Sequence, residues 1–144
     1  MTRPPAIRLF DRLYLASTAA WLIGAALSWS ERQRLIAGRS VLAGYEWLVP
    51  AGFALVLLVS LALWWGAGYR RSQFARAGAA FVAVLSAGVL VLTVIGLVSG
   101  RALSLPATLL QLLSSGLGIA GTLMLFTDGA RDWFGEPDTV ETLS

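Results

Sequence analysis

The 144-residue chain is 57% hydrophobic and only 13% charged, carries a formal net charge of +3, and contains neither Cys nor His. Soluble domains carry about 25% charged residues, and so short a chain could bury only part of this apolar surface as a globule, so an ordinary soluble domain is excluded and a membrane protein is indicated. A disulfide framework is also excluded, as are the usual ligand sets for zinc, copper, iron–sulfur clusters and haem, so no metal and no cofactor is expected.

The first apolar run spans residues 13–29 (LYLASTAAWLIGAALSW). Arg3, Arg8 and Arg12 precede it as in the n-region of a signal peptide, and Ala26-Leu27-Ser28 imitates a cleavage site. We read it as a retained membrane helix, short for a bilayer. Residues 30–46 follow as the longest connection, bracketed by Glu31 and Glu46. A surface-lying helix there would put Leu35 and Leu42 on one face and Arg32 and Arg39 on another, although Gly38 and Gly44 weaken it. The second run, residues 47–67, would rise about 31 Å, with Pro50 tolerated in its first turn. A tight connection over residues 68–76 leads to the third run at 77–99. The fourth, 105–126, is introduced by Ser104 as a plausible N-cap and by Pro106 near the helix start. None of the four runs contains Asp, Glu, Lys or Arg.

The expected fold is therefore an all-α membrane protein: an antiparallel bundle of four transmembrane helices in one domain, residues 1–127. Residues 128–144, acidic and interrupted by Pro137, are expected to form a cytoplasmic tail that is partly disordered. All eleven basic residues are Arg, a usage that resembles GC-rich bacterial coding bias. They flank the apolar runs and form no single patch, which argues against nucleic acid and for a topological role. With both ends on one side, that side holds Arg3, Arg8, Arg12, Arg70, Arg71, Arg76 and Arg131, and the other holds Arg32, Arg34, Arg39 and Arg101. The positive-inside rule then places both termini in the cytoplasm of a bacterial inner membrane. Trp29, Trp47, Trp64, Trp65, Tyr69, Trp133 and Phe134 fall near the proposed interfaces, where amphipathic rings settle, whereas Trp21 lies mid-span.

Three groups of candidate site residues emerge. Small residues recur every four positions at Ala20, Gly24 and Ser28, at Ala79, Ala83 and Ala87, and at Ser114, Gly118 and Thr122. Such stripes suit close helix packing inside the bundle or docking onto another subunit or copy. Gln111 is the most polar side chain in any run and, with Ser114 and Ser115, is a candidate polar contact within the membrane, since an amide in lipid requires a partner. Ser86 and Thr93 share one face of the third run. Arg8, Arg12, Arg70, Arg71 and Arg76 are candidate contacts for anionic lipid headgroups.

Chemistry is poorly supplied. Dyads using His or Cys cannot form, no nucleophile elbow or phosphate loop is present, and no ionisable residue lies deep in a run as proton-coupled export requires. The residues Tyr69-Arg70-Arg71-Ser72-Gln73-Phe74-Ala75-Arg76 and Leu125-Phe126-Thr127-Asp128-Gly129-Ala130-Arg131-Asp132-Trp133-Phe134 resemble phrases in a broad set of small four-helix bacterial inner-membrane proteins. The resemblance covers about residues 64–135 and implies no particular activity or substrate. The expectation is a non-catalytic accessory or structural subunit of a larger inner-membrane complex, acting through helix packing and membrane lipids. The alternative is binding or transport of a lipid or another small apolar molecule within the bundle. A cavity reaching Gln111 separates the two, because an accessory subunit is expected to be packed solid.

Overall fold

A computed structural model describes residues 3–38, 44–45, 47–100 and 104–135, and among these all regular structure is helical. The order is α1 (Pro5–Leu27), α2 (Trp29–Ala37), α3 (Leu48–Gly68), α4 (Gln73–Val98), α5 (Leu105–Met124) and α6 (Asp128–Arg131), followed by a 3-10 turn over Asp132–Phe134. Among the described residues three helices are long and apolar enough to cross a membrane: α3, α4 and α5.

Helix α1 begins eight residues before the expected position. Pro5 supplies a helical φ at a position where no N–H is needed, and the Pro4 carbonyl accepts from the Ile7 and Arg8 amides. The extension brings Arg8, Asp11 and Arg12 into the helix, so α1 is less apolar than the other three long helices. At its far end the Ser28 hydroxyl donates to the Gly24 carbonyl at 2.9 Å, and α2 starts at the next residue. A helix does follow the first run, but the side chain of Leu35 and all of Arg39 and Leu42 lie outside the described residues.

Helix α4 starts at Gln73, not at 77, because the Ser72 hydroxyl accepts from the Ala75 amide and caps it. Arg71 turns the preceding corner at φ 54°. Ser104 occupies the N-cap position of α5, but its side chain makes no capping bond. Its carbonyl instead accepts from the Thr108 amide and hydroxyl.

Helices α1 and α5 form the most extensive pair. Gly121 meets Leu13 and Tyr14, Gly118 meets Ser17, and Gly24 meets Leu110 and Ala107, so numbers rise along α1 as they fall along α5. Helix α3 meets α4 near their shared turn, where Gly66 faces Ala75 and Gly78 faces Leu63. The main core lies at this same end and comprises Ile7, Phe10 and Tyr14 of α1, Ala67, Ala75, Ala79 and Leu125, with Ala130, Trp133 and Phe134 beyond α5.

The segment read as the start of an acidic tail is thus folded as far as Gly135. Trp133 is 8% exposed and donates its indole N–H to the Ala67 carbonyl at 3.2 Å, while Gln73 donates to the Phe134 carbonyl. The apolar payload of Ala130, Trp133 and Phe134 outweighs the neighbouring charges, since Asp128 and Arg131 pair with each other on the exposed side.

Candidate ligand-binding cleft

Away from that core the four long helices leave space between them. A cleft of about 760 Å³ is bordered by α1, α3, α4 and α5, with α4 packed against α5 as well as against α3. Its reach along α5, from Ala107 to Thr122, corresponds to about 22 Å of helix. Volume and shape are in the range of small-molecule sites.

The two walls differ in chemistry. Helices α3 and α4 contribute mainly aliphatic groups, including Leu55, Val56, Val59, Leu85, Val89 and Leu92, with Ser60, Ser86 and Thr93 interspersed. Helices α1 and α5 contribute Ser17, Thr18, Thr108, Gln111, Ser114 and Ser115. Most of these hydroxyls are already engaged. Ser17 donates to the Ser114 carbonyl at 2.8 Å and Ser114 returns the bond to the Ser17 carbonyl at 2.9 Å. Thr18, Thr93 and Thr108 donate to carbonyls four residues earlier. Gln111 is the exception: its amide makes one long contact, 3.4 Å from nitrogen to the Ser115 hydroxyl, and its carbonyl oxygen has no protein partner among the described residues. A half-buried amide in an apolar cleft with an open acceptor is equipped to meet a polar group of a ligand.

The end of the cleft near α2 carries Arg32 together with Trp21. Trp21 and Trp29 both pack on Phe53, with ring centroids 5.3 and 5.6 Å apart. Tyr14 lines the other end, where the core closes the bundle.

The expected site residues fall into several places. Gln111, Ser114 and Ser115 come together in the cleft, joined by Ser86 and Thr93. Ala20, Gly24 and Ser28 are buried on α1, and Gly24 packs on α5. On α5, Ser114 and Thr122 are buried and Gly118 lies against Ser17. On α4, Ala79 is in the core, Ala83 lines the cleft and Ala87 is exposed. Arg8, Arg12, Arg70 and Arg71 are exposed, Arg71 with its guanidinium 4.3 Å from the Trp133 ring.

Arg76 differs from the expectation of a surface contact. It is 9% exposed, with its guanidinium 4.5 Å from the Phe126 ring and 5.0 Å from that of Phe134, so folding of the C-terminal segment encloses it. Asp11 is likewise drawn inward: Arg3 reaches one carboxylate oxygen at 3.0 Å and the Trp64 indole donates to the other at 3.0 Å. The Arg3 guanidinium also covers the Tyr69 ring at 3.7 Å. Its pKa is held above the ordinary value, chiefly by hydrogen bonding to Tyr69, against a smaller opposing effect of burial.

Ser17, Thr18, Ser60 and Arg32 were not marked as site residues by the sequence. Only the pairing of adjacent hydroxyls at 17–18 and 114–115, within otherwise apolar runs, signals that these faces meet something other than lipid. Comparison with family models, curated proteins and solved structures finds no match.

Proposed function

We propose that this protein is a non-catalytic bundle of the bacterial inner membrane that binds a lipid or similar amphiphilic molecule in the cleft between its long helices. The cleft is the observation that carries the reading: about 760 Å³ of space bordered by aliphatic walls and by the open amide of Gln111. In a chain with three membrane-length apolar helices, a molecule of the bilayer is the natural occupant of such a space.

In this reading α1 is the fourth crossing of an antiparallel bundle. Its 23 residues correspond to about 34 Å, and its one carboxylate is met by Arg3 and Trp64 near the end that carries the chain terminus. The distribution of Arg residues supports cytoplasmic termini. The competing reading, an accessory subunit docking through small residues such as the exposed Ala87, requires no internal space.

Native mass spectrometry of protein extracted in a mild non-ionic detergent tests the proposal. The wild type is expected to retain a lipid mass, and Ser86→Phe, which fills the middle of the α4 wall, is expected to lose it with helix content unchanged. Equal lipid complements in both proteins would contradict the proposal. Stoichiometric co-purification of a larger membrane complex with no retained lipid would favour the accessory subunit.

A further inference from the structure

Among the described residues lining the cleft a single one, Arg32, is charged, and it stands at one end. Its position is set from two sides. The Nε–H donates to the Ser28 hydroxyl at 2.9 Å, and Ser28 is itself fully buried and tied to the Gly24 carbonyl. The guanidinium carbon lies 5.5 Å from the Phe53 ring, which Trp21 and Trp29 hold in place. With Nε engaged, the two Nη groups remain as a fork. Among the described residues no carboxylate lies within ion-pair distance of it, because neighbouring Glu31 turns its carboxylate to the Ser104 amide at 3.4 Å.

We infer that Arg32 anchors the anionic head of an amphiphile whose apolar tail runs along the cleft past Gln111 towards Tyr14. The inference rests on the cleft-binding reading above. It adds the charge class of the ligand and the direction in which it lies. A planar guanidinium fork matches the paired oxygens of a carboxylate or a phosphate, and the water-poor wall strengthens that contact. At the opposite end, where Tyr14 joins the core, none of the described lining residues is charged, so a head group seated there would be unpaired.

The test titrates the full chain, in non-ionic detergent, with phosphatidylglycerol and with phosphatidylcholine of identical acyl chains, read by native mass spectrometry. The wild type is expected to prefer the anionic lipid by about tenfold or more, the scale of one charge-assisted contact. Arg32→Gln is expected to abolish the preference, Arg32→Lys to restore part of it, and Arg34→Gln, which removes an exposed charge of the same helix, to leave it unchanged. A preference that survives Arg32→Gln, or that Arg34→Gln weakens equally, overturns the inference. Inorganic phosphate alone is expected not to displace the lipid. Displacement that depends on Arg32 would assign the anion to solution and overturn the amphiphile. If both lipids bind equally and both are lost in Ser86→Phe, the cleft stands and the Arg32 anchor falls. If neither lipid binds the wild type, the cleft reading falls with it.

Discussion

At the α3–α4 hairpin a Cβ placed on Gly66 would lie 2.6 Å from the Cβ of Ala75, an atom with no rotamer to move out of the way. Gly66→Ala therefore has to separate the two helices where they meet most closely. A loss of about 1–3 kcal/mol is expected from such overpacking. Gly88, on the same α4 helix, has open space where its Cβ would be. Gly88→Ala should be neutral or stabilising by up to about 1 kcal/mol, because Ala is the better helix former. Unfolding of both variants in detergent checks the contrast, and equal effects would show that close approach at Gly66 is unimportant. At this same scale the sequence discloses residue types better than their partners. Arg76 resembles its neighbours Arg70 and Arg71 in composition and spacing, yet it alone is enclosed, by aromatic rings from the far end of the chain.

Secondary structure was legible wherever it depended on uncharged runs. The bounds of α3 and α5 agree with those runs to within two residues at each end. The start of α1 was obscured by Arg8, Asp11 and Arg12, although Ile7, Phe10 and Tyr14 keep helical spacing through them and are the residues that are buried. In the C-terminal segment the charges suggest solvent, while Trp133 and Phe134 supply enough apolar surface to hold residues 128–135 on the bundle; residues 136–144 lie outside the described residues. Trp133→Ala removes both that surface and the bond to Ala67, and is expected to lower stability by about 3–5 kcal/mol. Trp133→Phe retains most of the packing and should cost only about 1 kcal/mol. Thermal unfolding followed by circular dichroism distinguishes them, and a wild-type midpoint for Trp133→Ala would mean that the segment does not hold the bundle closed.

For the molecule as a whole, the arrangement is asymmetric along its length. One end is tied by the core, by Asp11 between Arg3 and Trp64, and by the folded C-terminal segment. Beyond it α3 and α4 present aliphatic side chains to the space that α1 and α5 line with hydroxyls and Gln111. This cleft was not legible in the sequence, because it depends on how the four long helices diverge in space and no local pattern encodes that distance. The residues were nonetheless present as a hint: Ser86 and Thr93 on one face of α4, and Gln111 with Ser114 and Ser115 on α5, are polar positions that a solidly packed bundle would have had to pair.

Photocrosslinking in native membranes, using a lipid with a photoactivatable group in its acyl chain, tests the central claim most directly. The account predicts adducts concentrated on cleft residues such as Ser86, Val89 and Gln111, and diminished by Ser86→Phe at every site other than 86. Adducts confined to outward-facing residues such as Phe81 and Val98, and indifferent to Ser86→Phe, would show that lipid only surrounds the bundle and does not occupy it.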